Sequence, residues 1–129
     1  MKIQKRKWTG GSLLDKKSGN KIFFKQGSII SIVFDPTLGH EQKGRRPAIV
    51  VSNDKYSNMT EIMPITRTKR LTPMLVSLDE RTDTIGYIMI DQSRSVDLSK
   101  RDARFIEMLP NDLLDEVLVR FLLRFEKNK

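Results

Sequence analysis

Between His40 and Arg46 the chain places an imidazole, a carboxylate, an amide, a lysine and two arginines, as His40-Glu41-Gln42-Lys43-Gly44-Arg45-Arg46. Further along stand Thr66 and the group Asp91, Gln92 and Arg94. The chain has no cysteine and one histidine, so thiolate and histidine-rich metal sites are excluded. It has no glycine-rich phosphate loop and no tightly spaced carboxylate pair. What remains is a guanidinium, hydroxyls, one imidazole and scattered carboxylates, with no cofactor or metal implied. That set suits metal-free cleavage of RNA, in which the substrate's own 2′-OH attacks the adjacent phosphorus. The protein then supplies a base, an acid and a cation for the charge on the phosphorane. Arginine fits the last role because its planar fork pairs with phosphate oxygens. Loops of this composition are common, and each residue also has a structural alternative. Glu41 can pair with Arg45 or Arg46, Thr66 can be a strand-exit hydroxyl, and Asp91 can bond a loop backbone. Gln92 and Arg94 can line an edge, and His40 can be a plain surface residue.

The polar loop is held at both ends by apolar runs. Ile29 to Phe34 is β-branched and aromatic, the composition of a buried strand. Asp35-Pro36 ends it, since proline donates no backbone hydrogen bond and restricts the residue before it. Ala48 to Val51 is the second strand. A loop fixed by two strands is a usual location for binding and catalytic groups.

Along the rest of the chain, Asn53 to Asn58 reads as a loop or one helical turn. Glu61 to Thr68 reads as a strand with Pro64 at a bulge or edge. Arg67 to Arg70 is a basic loop. Met74 to Leu78 and Thr84 to Asp91 form a hairpin around Asp79 to Asp83, with Gln92 to Val96 continuing the second arm. Asp97 to Asp102 is a turn and Arg104 to Leu109 the last strand. From Asn111 to Phe125, apolar residues at helical spacing predict a helix capped by Asn111 or Asp112. Five or six short strands and one terminal helix predict a small, curled, mainly β barrel.

The 129 residues fit one domain, read as a basic arm over 1–26 and a barrel domain over 27–129. The formal net charge is +8, and residues 1–26 carry eight basic side chains against the single acidic Asp15. The charge therefore argues for a flexible arm that binds phosphate weakly, or for a solvated tail. Trp8 in that arm can stack on a base. Elsewhere basic residues cluster at Lys43, Arg45 and Arg46 and at Arg67, Lys69 and Arg70. No apolar run approaches a membrane span of roughly 20 residues, and no secretory signal is evident. A soluble, cytoplasmic protein with no membrane association is expected.

Gly27-Ser28-Ile29-Ile30, leading into Phe34-Asp35-Pro36-Thr37-Leu38-Gly39-His40-Glu41-Gln42-Lys43-Gly44-Arg45-Arg46-Pro47, resembles the opening of the MazF/PemK toxins of bacterial toxin–antitoxin systems. The pattern there is Asp-Pro-x-x-Gly-(Ser/His)-Glu-Gln-x-Gly-x-Arg-Pro. The likeness continues through Ile65-Thr66, through Asp91 to Asp97 and to the helix after Pro110, covering roughly residues 25 to 125. It implies an SH3-like β-barrel homodimer of the MazF/CcdB type with a C-terminal helix. Such a protein would cut single-stranded RNA at a short sequence without metal, leaving a 2′,3′-cyclic phosphate and a 5′-hydroxyl. A cognate antitoxin with an acidic, partly disordered tail would neutralise it.

Residue by residue, the resemblance implies Arg46 as phosphate clamp and acid and Thr66 as the group positioning the scissile bond. His40 is implied as a base or an RNA contact. A second arrangement in the family joins the histidine to an arginine and an aspartate. Here His40 and Asp91 match, but the arginine position holds Met89, which cannot donate to phosphate. We assign Glu41, Gln42, Lys43, Arg45, Ser52, Arg67, Asp91, Gln92 and Arg94 as RNA contacts. Two alternatives stand beside this reading. One is a gyrase poison of the CcdB type, whose Trp-Gly-Ile-like end is replaced here by Arg124-Phe125-Glu126-Lys127-Asn128-Lys129. The other is a non-enzymatic RNA-binding barrel that relies on the basic arm.

Overall fold

The computed structural model describes residues 23–34 and 44–129. The expectations for the arm up to residue 22, for the Asp35-Pro36 strand end and for His40, Glu41, Gln42 and Lys43 lie outside the described residues. The strands are β1 (Ser28–Val33), β2 (Arg45–Val50), β3 (Thr60–Thr66), β4 (Leu75–Ser77), β5 (Tyr87–Met89), β6 (Arg94–Val96) and β7 (Arg104–Met108). Among the described residues they precede one α-helix, α1 (Asn111–Leu123). All pairings are antiparallel, in the order β4-β5-β3-β2-β1-β7, with β6 added to β3. The fold is thus the expected mainly β one with a C-terminal helix.

Strand β3 is the hub. One edge pairs with β2, Ala48 opposite Pro64 and Val50 opposite Ile62. The other edge pairs first with β6 from Thr60 to Ile62, then with β5 at Ile65 and Thr66. Pro64 falls where β6 has ended and β5 has not begun. Val51 N–H donates to Glu61 O and Glu61 N–H to Ser52 Oγ, so odd-numbered residues here turn their polar groups toward β2. Pro64 therefore turns its missing N–H into the gap, where no ladder bond is lost. The strand is central rather than an edge, and its proline occupies the switch point.

Pleat alternation divides the core between the two faces of the sheet. Ile29, Ile49, Met63 and Ile65 face one cluster, which α1 covers with Leu113, Leu114 and Val117. Ile30, Ile32, Ala48, Val50 and Ile62 face the other, completed by Val96 and Leu98. Each fully buried side chain of this size contributes about 1.5–3 kcal/mol relative to leaving it in water.

Several local expectations are corrected. β2 begins at Arg45 rather than Ala48, so both arginines stand on the strand and not in the loop, and the described residues form seven strands rather than five or six. Gln92 to Val96 does not extend the hairpin arm. A single 3-10 turn at Ile90–Gln92 redirects the chain so that β6 pairs with the first half of β3. The helix is not capped by Asn111 or Asp112; Pro110 takes that position without a side-chain cap, and Asp112 binds Arg81 instead. The helix also ends at Leu123 rather than Phe125.

At Gly86 the backbone has φ +138°, and a Cβ there would lie 2.4 Å from the carbonyl oxygen of Thr66. Only glycine accommodates both conditions. Gly86→Ala is expected to lower stability by about 3 kcal/mol, from backbone strain and overpacking together, read as a fall in the urea midpoint. A variant as stable as the parent would contradict this close approach.

Candidate active site

In register, Ile32 lies opposite Arg46 and Ile62 opposite Arg94. The β2–β3 ladder ends at Ala48 and Pro64, and by alternation Arg46 and Thr66, each two residues further along its strand, point to the same side as that pair. Directly opposed side chains share a face. Arg46, Thr66 and Arg94 therefore stand on the face of Ile32, Ala48 and Ile62, at the rim of the second cluster. At its edge is Phe34, packed against that cluster. The Arg46 guanidinium carbon lies 6.0 Å from the centre of its ring, and that of Arg94 lies 5.5 Å away. The Thr66 hydroxyl oxygen accepts from Thr68 N–H at 3.1 Å. This bond orients the hydroxyl at the strand exit and does not use its proton.

Arg94 is steadied from behind. Its neighbours Ser93 and Ser95 donate to the Glu61 carboxylate, Ser95 at 2.5 Å, and this fastens β6 to β3. Asp91 and Gln92 are exposed on the 3-10 corner. Ile90 N–H anchors that corner on Met74 O at 2.8 Å. Met89, at the position where the resemblance calls for arginine, is buried.

The same pleat separates neighbours that the sequence groups together. Arg45 faces the opposite side from Arg46. It donates to Ser31 O and Oγ (3.2 and 3.0 Å) and to the Asp102 carboxylate (2.5 Å), so much of its donor capacity joins β1, β2 and the chain before β7. With Arg67 it lines a cleft of about 330 Å³ that Arg46 borders and that Thr84, Ile85 and Ile106 wall. Ser52 bonds at the start of β3, away from Thr66, where it closes the β2–β3 connection. The structure thus brings Arg46, Thr66 and Arg94 together on one face, puts Arg45 and Arg67 on the other, and leaves Ser52 apart.

The cleft wall is itself clamped. The Glu107 carboxylate on β7 accepts from Asp83 N–H (3.1 Å), Thr84 N–H (2.8 Å) and Thr84 Oγ (2.7 Å). Partial burial opposes its ionisation, but these donors hold its carboxyl below the usual glutamate range. In the same loop, Arg81 binds Asp79 and Asp112 in bidentate fashion. Its guanidinium draws both carboxyls down, and the two carboxylates, Asp79 first, raise the guanidinium in turn. Phe34, Glu61 and Glu107 escape sequence reasoning because their roles depend on partners far along the chain. An aromatic residue closing a strand beside two arginines is the one available hint. Among the described residues no group of three or more His, Cys, Asp or Glu side chains is arranged to hold a metal ion. No helix among them is long and apolar enough to cross a membrane.

Residues 25–124 match the family model of the PemK-like, MazF-like toxins of type II toxin–antitoxin systems. Over 120 residues the chain is 32% identical to endoribonuclease PemK of Escherichia coli, covering 88% of this chain and 87% of that protein. It is 36% identical over 104 residues to endoribonuclease toxin ChpB of Escherichia coli strain K12, covering 75% and 90%. Its fold matches a MazE–MazF crystal structure from Deinococcus radiodurans with a TM-score of 0.71 at 27% identity, over 81% of this chain and 97% of that one. The chain belongs to the PemK-like, MazF-like toxin family.

Glu107→Gln is expected to lower stability by about 1 kcal/mol, a charged hydrogen bond discounted for its exposure. Because the folded carboxyl is depressed, its contribution is complete above the ordinary glutamate pKa of roughly 4.3. It is lost as the pH falls through that value and then through the lower folded one. Denaturant melts of both proteins from pH 7 to pH 3 should converge at the acid end. A gap that stays constant with pH would show that ionisation of this carboxyl does not stabilise the fold.

Proposed function

We propose that this chain is an endoribonuclease toxin that cleaves single-stranded RNA without a metal. The observation that carries this reading is the shared sheet face that register and pleat give Arg46, Thr66 and Arg94, in a member of a family with relatives named as endoribonucleases. In the reaction, the substrate's 2′-oxygen bonds to phosphorus and the bond from phosphorus to the 5′-oxygen breaks. The 2′ proton leaves to a base and the 5′-oxygen gains a proton, giving a 2′,3′-cyclic phosphate and a 5′-hydroxyl. Arg46 holds the phosphate and opposes its growing charge. Arg46 is also the assigned acid for the 5′-oxygen, Thr66 directs its hydroxyl at the scissile group, and His40 is assigned as a base or an RNA contact. Arg94 and Gln92 engage the flanking strand, with Arg67 and Lys43 supplying further positive charge.

Two partners belong to this reading. One is a second copy of the chain. Phe105, Ile106 and Met108 on β7 are 53%, 42% and 43% exposed, and a sheet-end strand with such side chains favours burial against another subunit. The other is a cognate antitoxin, supported by the likeness to a MazE–MazF complex. The setting is the cytoplasm, where mRNA is the substrate.

Single-stranded RNA incubated with the protein in EDTA should be cut at discrete sites, and the mapped 5′ ends should carry hydroxyls. Arg46→Ala should reduce the rate about 10²–10³-fold with circular dichroism unchanged. Intact RNA from a verifiably folded protein would overturn the assignment.

A further inference from the structure

We infer that Phe34 is a positioning residue that couples Arg46 and Arg94, making the two guanidiniums one phosphate-binding pair; this rests on the RNA-cleaving reading above. The two arginines come from different strands, β2 and β6, that are not neighbours in the sheet. Each nonetheless lies over the same ring, at 6.0 and 5.5 Å from its centre. Two like charges brought to one spot repel. The negative face of an aromatic ring offsets that repulsion without neutralising either cation, as a carboxylate would. Among the described residues no carboxylate pairs with either guanidinium, so the ring leaves both cations facing a ligand.

The ring is a fixed support. Phe34 N–H donates to Gly44 O at 3.0 Å, which ties it to the start of β2. Its carbonyl accepts from the Arg101 guanidinium, which also reaches Val33 O at 3.3 Å. The ring rests on the second core cluster. Gly44, its cross-strand partner, has no side chain to compete for the space, and Arg46 is the diagonal neighbour that an aromatic ring reaches. Arg94 arrives from the far edge of β3, held by the Glu61 bonds on its other face. A long arginine side chain otherwise samples many rotamers, and confining it beforehand lowers the entropy lost when phosphate binds.

Two measurements test this. In the free protein, NMR of the arginine Nε–Hε groups should show Arg46 and Arg94 displaced by the ring current, and Phe34→Leu should return both toward free-arginine positions. In single-turnover cleavage of single-stranded RNA, Phe34→Leu should lower kcat/KM about tenfold, the loss of two cation–π contacts of ordinary strength. Phe34→Trp, which keeps an aromatic face, should stay within about twofold. Phe34→Leu made on Arg94→Ala should cost less than on the parent, since one partner is already gone. Should the leucine variant fold poorly, Phe34→Met fills the same volume without a π face. Unmoved arginine resonances would overturn the contact. Parent-like cleavage by Phe34→Leu, or a tryptophan variant as impaired as the leucine one, would overturn the positioning role. If the parent protein cuts no RNA, the proposed function fails, and the NMR result still decides whether the ring holds the pair.

Discussion

The constraint on which this fold rests is that one strand serves two sheets' worth of partners. β3 holds β2 along one edge and divides its other edge between β6 and β5. Every residue proposed for chemistry on the sheet is placed relative to it: Arg46 by register with β2, Arg94 by register with β6, Thr66 at its own end. A slip of one residue in any of these ladders would turn the corresponding side chain to the opposite face. Pro64 helps forbid such slips, because its missing N–H is tolerated at the switch point and would remove a ladder bond elsewhere.

The pleat also explains why a basic dipeptide does two jobs. Arg45 and Arg46 are adjacent, so they must face opposite ways. Arg45 becomes internal scaffolding through Ser31 and Asp102, and Arg46 stands at the rim with Phe34. Charge count alone cannot distinguish these roles. The same holds for the acidic residues: Glu61, Glu107 and Asp112 each bind one element to another.

Much of the fold was legible from local pattern. Ile29 to Phe34 and Ala48 to Val51 announced strands by composition, and Leu113, Leu114 and Val117 announced the buried stripe of a helix. The motif from Asp35 to Pro47 pointed to the family, and the family match over residues 25–124 bears that out. The 3-10 corner at Ile90–Gln92 was not legible, because Asp91 and Gln92 follow the apolar run Tyr87 to Ile90 with no glycine or proline to mark a turn. Nor was the fate of Asp112: a carboxylate in the first turn reads as a cap, and only the folded chain brings Arg81 to it. Arg46, Thr66 and Arg94 were chosen from sequence, but their common face follows from registers that no local pattern encodes. Phe34 read as an ordinary strand end, since nothing nearby in sequence reveals that Arg94 will reach it.

Phe34 and Gly44 are bonded backbone to backbone, so the β1–β2 ladder is closed just beyond Val33 and Arg45. With that stem closed by its own backbone bond, the entropy of joining the two strands grows only logarithmically with the length of the connection, about 0.6 kcal/mol for each doubling. The register that places Arg46 opposite Ile32 is therefore carried by the ladder itself and not by the residues between the strands.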